Sequence, residues 1–279
     1  MCPRTKNMTR KIGFMDYSLY KKTIDEMHGC NPAGNGAETL WLHHFGESLL
    51  HPEFDKCIAY AEERHIRTGL SINPIMLTDE VAARLIAARP QVLYISLDGH
   101  DDESFHAIRG MKHAYETSKG RLMKFLNKKV TGKTPMTVVL SMVDFNLNHE
   151  SIERTGKYWE SVQGIDSFLP KSFTTWDGSA ADINVFSRND QSRSFDRRAV
   201  QCRWPFERMT VTWDGDVVPC CFDYDKKYVL GSLRSSTLAE IWKAEPIVRL
   251  RNEFMTNNVV NSLCKNCQRL YMPPHMVGL

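Results

Sequence analysis

The chain has 279 residues, enough for one large domain with an appendage, and its 42% apolar and 25% charged content is that of a globular protein with a sizeable core rather than a disordered one. Lys and Arg outnumber Asp and Glu by 36 to 33, and the two signs are interspersed, so nucleic acid is not an implied partner. No apolar run approaches the roughly 18 residues of a membrane span and no signal-peptide core opens the chain, so a cytoplasmic setting is expected; there, eight cysteines point towards metal rather than a disulfide framework.

The first stretch, Met1 to Lys22, is the most basic, and its Arg4, Lys6, Arg10 and Lys11 are read as able to face an anionic or nucleotide-like ligand as easily as solvent. From Thr39 to about Leu169 short apolar runs alternate with amphipathic stretches, which is a βα rhythm. Leu40 to His44 is expected to be a strand. After the loop Phe45-Gly46-Glu47-Ser48 comes a helix with Phe54, Ile58, Ala61 and Ile66 on one face. Thr68 to Asn73 is the next expected strand, and Thr78 with Asp79 and Glu80 caps a helix that turns Val81, Leu85 and Ile86 towards the sheet. Further strands are expected over Val92–Leu97, Thr137–Met142 and Asp166–Leu169. The first two are apolar enough for a parallel sheet covered on both faces. Such folds carry their chemistry on loops at the C-terminal strand ends. Here those loops hold Phe45-Gly46-Glu47, Asn73-Pro74, Asp98-Gly99, Asp144-Phe145-Asn146 and the segment Lys171 to Trp176.

The polar stretch from Ser187 to Arg198 is read as a linker to a cysteine-rich end. There, Cys202 is followed after twelve residues by Gly215 and after four more by Cys220, and Cys264-Lys-Asn-Cys267 lies further on. Asp214-Gly215 between alternating apolar residues predicts a hairpin that returns Cys220 towards Cys202. Thr237-Leu-Ala-Glu240 fits a capping box, and Leu238, Ile241 and Trp242 give its helix an apolar face. Four thiolates suit zinc and an iron–sulfur cluster alike, so spacing leaves the metal open.

The pattern Cys202, Gly215, Cys220, Leu230-Gly231-Ser232, Glu240-Ile241-Trp242, Arg251, Cys264 and Cys267 resembles the SPASM or shortened twitch domain of radical SAM enzymes. Four principal cysteines imply the variety with one auxiliary 4Fe–4S cluster. Cys221 is left over, a spare thiol or a tentative hydrogen-atom donor. The preceding part resembles the radical SAM partial barrel, and the opening Met1-Cys2-Pro3-Arg4 is similar to the context of the third cysteine in that family's C-x3-C-x2-C motif. Cys2 is thus the expected last ligand of a motif truncated at the start of this sequence, and the chain alone is expected to be inactive for want of the other two. Gly46 and Glu47 resemble the segment that holds the methionine ammonium of S-adenosylmethionine (SAM). Ser71 and Asn73 resemble residues near its ribose, and Ser96 with Arg109 resembles the fourth strand and a partner for its carboxylate. His43 and His44 are given no catalytic role.

The resemblance implies an α/β fold: a partial (β/α)6 barrel lacking its first strand over residues 1–186, a linker at 187–201, and a small SPASM/twitch-like domain over 202–279. The implied cofactors are SAM and 4Fe–4S clusters, and the implied activity is generation of a 5′-deoxyadenosyl radical that oxidises or epimerises a small polar molecule or modifies a peptide. A flavodoxin or ferredoxin would supply electrons. The alternative is a non-catalytic iron–sulfur or zinc-binding protein on a degenerate barrel scaffold.

Overall fold

The computed structural model describes residues 2–30, 39–187 and 202–270; the expected linker, from 188 onward, lies outside them. The described residues divide into two compact units, residues 39–173 and residues 2–30 with 174–187 and 202–270. This differs from the expected boundaries at 186 and 202, because residues 2–30 and the segment after the last parallel strand both belong with the cysteine-rich part.

In chain order the elements begin with helices α1 (Pro3–Lys6) and α2 (Tyr17–Cys30). The first unit then runs β1 (Leu40–Trp41), α3 (Phe54–Glu62), β2 (Thr68–Ile72), α4 (Asp79–Ala88), β3 (Val92–Ser96), α5 (Asp102–Arg109), α6 (Tyr115–Thr131), β4 (Thr137–Asp144), α7 (His149–Glu160) and β5 (Ser167–Ser172). Its five strands lie in sequence order in one sheet, every pairing parallel. The expected strand over Leu40–His44 is only two residues long, with one further ladder bond from Leu42 to Gly69, and the chain turns at Phe45, which lies in the left-handed region at φ 44°. Thr78 caps α4 as expected, its hydroxyl accepting from the Val81 N–H. Asp101 and Ser104 form a capping box on α5 that the sequence reading did not single out.

Leu70, Ile72, Leu93, Ile95, Val138 and Leu140 all point to one side of this sheet and are buried with Phe105, Phe125, Leu122 and Trp159 of the helices. Of the two strands expected to be covered on both faces, β4 is buried on both sides from Val138 to Met142, whereas β3 is not. Residues of β3 alternate between buried Leu93 and Ile95 and half-buried Val92, Tyr94 and Ser96, which is the period of a strand with two unlike faces.

The second unit contains α8 (Trp204–Glu207), β6 (Thr210–Val211), β7 (Asp216–Val218), β8 (Gly231–Ser232), α9 (Leu238–Lys243) and α10 (Glu245–Met255). β6, β7 and β8 form an antiparallel sheet, and the turn of its first hairpin uses Gly215 at φ 94°, where a side chain would be strained. The capping box at Thr237 and Glu240 is present. The core joins Leu19 of α2 to Val217, Leu230, Leu233, Ile241, Leu250 and Phe254. The N-terminal segment is tied down as well: the Asp225 carboxylate accepts from the Thr9 and Arg10 backbone N–H groups at 2.6 and 2.8 Å, and Arg10 Nε donates to the Tyr224 carbonyl at 2.7 Å. Arg10 is therefore held by its own unit, a correction to the reading of this basic stretch as facing ligand or solvent.

Candidate functional site

Two separate places gather the chemistry. The first is the polar face of the parallel sheet. Register partners in a parallel sheet share a face, so Trp41, Gly69 and Val92 lie abreast, then Ser71, Tyr94 and Val139, then Ser96, Ser141 and Leu169, then Val143 and Lys171. Aromatic contacts link this face. Trp41 lies 4.8 Å from Tyr94 and 5.6 Å, edge-on, from the His43 ring, and the Lys171 ammonium sits 4.7 Å above the Tyr94 ring.

At the C-terminal end of the sheet, Glu47 follows β1 and reaches the end of β2. One of its oxygens accepts the Asn73 N–H at 2.9 Å, and the other caps the short turn Ser48–Leu50 through the Leu49 N–H. Burial pushes its carboxyl up to about 7, against the downward pull of those two backbone donors and of Arg109. Gly46, beside it, is exposed, and a Cβ there would meet nothing nearer than the His44 carbonyl oxygen at 3.9 Å. Arg109, the last residue of α5, is clamped. It pairs with the fully buried Asp98 at 2.5 Å and donates to the Ser96 hydroxyl at 2.6 Å, while Asp98 accepts the Val143 N–H at 2.8 Å. The structure thus brings together Glu47 with Asn73 and Ser96 with Arg109, and places Ser71 beside Tyr94. Asp98 was missed as the residue holding Arg109, although the strand-end sequence Ser96-Leu-Asp98-Gly99 drew attention to it. Gly99 is required there: a Cβ would lie 2.7 Å from the Phe105 backbone.

The second place is a cavity in the other unit, lined by Cys202, Cys220, Cys264 and Cys267 with Trp204, Phe222 and Arg269. The hairpin delivers Cys220, and the loop after α10 delivers Cys264 and Cys267, whose turn is closed by the Asn261 side chain accepting the Cys264 N–H at 2.8 Å. The segment from Thr174 buttresses it: Gln268 accepts the Thr175 N–H at 2.6 Å and donates its own N–H to the Trp176 carbonyl at 3.0 Å. All four thiols are free and all are pushed upward in pKa by burial, Cys267 to about 12. Each of Cys220, Cys264 and Cys267 also feels its neighbours as like charges. Such a set is protonated when empty and becomes thiolate only against a cationic group that repays the desolvation. The four thiols line one shared space. A 4Fe–4S cluster takes four separate cysteine thiolates, and this donor set fits it.

Cys221 packs with Trp204, Cys220 and Phe222 but does not line the cavity, and its thiol is pushed up to about 11 by burial. Cys2 is exposed at the start of α1, outside the unit that holds Glu47 and Arg109. Arg269 was missed by sequence reading. It stacks on Trp204 at 4.1 Å and, with Arg208, lowers the thiol pKa of Cys202 against the larger effect of burial.

A parallel sheet with a polar face and a separate four-thiol module define an iron–sulfur protein built on a partial α/β barrel. Comparison with known proteins agrees: the model of the radical SAM superfamily matches residues 4–158, and that of the SPASM iron–sulfur cluster-binding domain matches residues 202–268. The chain belongs to the radical SAM superfamily and carries a C-terminal SPASM domain, which indicates SAM and 4Fe–4S clusters as its cofactors. It is 24% identical to the tungsten-containing aldehyde ferredoxin oxidoreductase cofactor-modifying protein of Pyrococcus furiosus, over 91% of this chain and 79% of that one. It is 22% identical to the S-adenosyl-L-methionine-dependent 2-deoxy-scyllo-inosamine dehydrogenase of Niallia circulans, over 96% of this chain and 86% of that one. The crystal structure of native anSMEcpe with bound AdoMet and Cp18Cys peptide shares the fold, with a TM-score of 0.60 at 16% identity over 92% of this chain and 82% of that one. Among the described residues no helix is long and apolar enough to cross a membrane.

Proposed function

We propose that the chain is the scaffold of a radical SAM/SPASM enzyme that generates a 5′-deoxyadenosyl radical from SAM and oxidises or epimerises a small polar molecule or modifies a peptide, with one auxiliary 4Fe–4S cluster. The observation that carries this reading is the convergence of Cys202, Cys220, Cys264 and Cys267 on one cavity within the residues matched by the SPASM model. Two relatives, one named for a cofactor-modifying activity and one as a dehydrogenase of a small inosamine, support a small substrate. The peptide-bound neighbour supports a peptide.

SAM, reductively cleaved, supplies the hydrogen-abstracting radical, and an auxiliary cluster supplies an electron acceptor or an organiser of the substrate site. This chain's residues do the positioning. Gly46 offers backbone close to a ligand, and Glu47 holds an ammonium when ionised. Ser71 and Asn73 stand at the end of β2 for ribose hydroxyls. Arg109, fixed by Asp98 and Ser96, keeps a buried Nε without a protein partner and turns it to a carboxylate. Cys202, Cys220, Cys264 and Cys267 hold the auxiliary cluster, and Cys2 is one ligand of the SAM-binding cluster. Cys221, kept as a thiol by burial, is the candidate hydrogen-atom donor for an epimerisation. A flavodoxin- or ferredoxin-type reductant supplies the electron.

The test is formation of 5′-deoxyadenosine from SAM with dithionite, in the 279-residue chain and in the same chain given Cys-x3-Cys-x ahead of Met1, after anaerobic loading with iron and sulfide. Product in the extended chain alone is expected. Product in neither contradicts the enzyme reading and favours a non-catalytic iron–sulfur protein, and equal product in both removes Cys2 from the ligand set.

A further inference from the structure

The polar sheet face holds more unsatisfied chemistry than SAM contacts account for. Lys171, on β5, is half-buried and makes no ion pair or hydrogen bond among the described residues; its ammonium rests only on the Tyr94 ring at 4.7 Å. The nearby ionic groups are Asp98, which acts on Lys171 through space but is paired directly with Arg109 at 2.5 Å, and Glu47, whose oxygens accept the Asn73 and Leu49 N–H groups at 2.9 and 3.5 Å. Lys171 is therefore a cation of this face with no directly contacting counter-ion among the described residues. Beside it, the His43 ring is aligned by Trp41, its Nδ1 is buried, and that nitrogen has no hydrogen-bond partner. Burial and the neighbouring Lys171 hold the imidazole neutral, with a pKa lowered to about 4. The Ser141 hydroxyl, two residues before the register partner of Lys171, is also buried and unpartnered.

Holding a partly desolvated ammonium without a contacting counter-ion, next to two orphaned hydrogen-bonding groups, costs stability. Residues that keep such a cost together on one face of a sheet mark a place where a ligand supplies the missing partners. An oxyanion meets the need of Lys171 directly, and its remaining oxygens are acceptors for a neutral His43 N–H and for the Ser141 O–H. The aromatic pair Trp41 and Tyr94 flanks this position with an apolar wall suited to the carbon skeleton of the same ligand.

We propose that Lys171, with His43 and Ser141, forms an oxyanion subsite on the inner sheet face that binds a carboxylate or phosphate group of the substrate. The assignment rests on and deepens the radical SAM reading by giving its substrate an anionic group, and it gives His43, which the sequence reading left without a catalytic role, a place in binding.

Titration of the full chain, its auxiliary cluster loaded, with inorganic phosphate and with acetate by calorimetry tests this without knowing the substrate. Lys171→Met is expected to weaken binding of whichever probe the wild type takes by tenfold or more, about 1.4 kcal/mol; Lys171→Arg keeps most of it, and His43→Phe weakens it less than Lys171→Met. Unchanged circular dichroism in Lys171→Arg guards against a folding artefact in Lys171→Met. No binding of either probe to the wild type, or equal binding to the Lys171→Met protein, overturns the subsite. Methionine, which carries the amino-acid end of SAM, is the competitor: displacement of the probe by methionine assigns the position to SAM and overturns a substrate subsite. The deoxyadenosine assay reads the radical SAM chemistry separately, so loss of that activity and loss of the subsite are distinguishable.

Discussion

Glu47 carries a pH signature that falls in an accessible range. Its carboxyl has a folded pKa of about 7 against an ordinary 4.5, so the unfolded chain ionises first as pH rises. The stability this group contributes is therefore complete below about pH 4.5 and lost as pH climbs through about 7, on the order of 1–3 kcal/mol. Glu47→Gln is expected to flatten that part of the pH–stability curve measured by urea unfolding; a variant curve parallel to wild type contradicts the assignment. At the cysteine cavity, Cys202→Ala and Cys264→Ala are expected to abolish bound iron while Cys221→Ala keeps it, because Cys221 lies off the cavity wall. Equal iron loss in all three breaks the ligand assignment. Arg269 places a fixed positive charge by Cys202 and Cys267, which favours the more negative, reduced cluster. Arg269→Gln is expected to lower the reduction potential in an EPR-monitored titration, and Arg269→Lys to restore much of it.

At the scale of elements, the hairpin of β6 and β7 is what carries Cys220 back to the other thiols. Gly215 turns it at φ 94°, and a Cβ there would also press to 3.1 Å of Leu19. Gly215→Ala is expected to cost about 1–3 kcal/mol of stability and to lower cluster occupancy with it; full iron content at wild-type stability argues against the hairpin's role. This hairpin, the Thr237 capping box and the Thr78 cap were legible because each is a local signal: turn residues and hydroxyl caps act within four residues of chain. The five parallel strands were legible from apolar runs. The two-faced nature of the sheet was not, since Tyr94 reads as apolar in a composition window yet lies on the polar face with Ser71, Ser96 and Lys171. The clamp of Asp98 on Arg109 and the stacking of Arg269 on Trp204 join residues 11 and 65 positions apart by number, and no periodicity announces such pairs.

For the whole molecule, the sequence pattern placed the boundary in the polar stretch after residue 186, whereas the compact units divide after Phe173 and group residues 2–30 with the cysteine-rich part. The reason is packing: Leu19 is in the core with Val217 and Ile241, and the Asp225 carboxylate holds the backbone of Thr9 and Arg10. Neither link has a local sequence signal. Two units with separate cores are expected to melt separately, and a cluster bound by one of them stabilises that one by mass action.

The measurement that reaches the central claim most directly is iron and acid-labile sulfide per chain after anaerobic reconstitution, for the wild type beside Cys264→Ala. The account predicts about four iron and four sulfide more per chain in the wild type than in the variant. Bound zinc in place of iron and sulfide, or no difference between the two proteins, contradicts it.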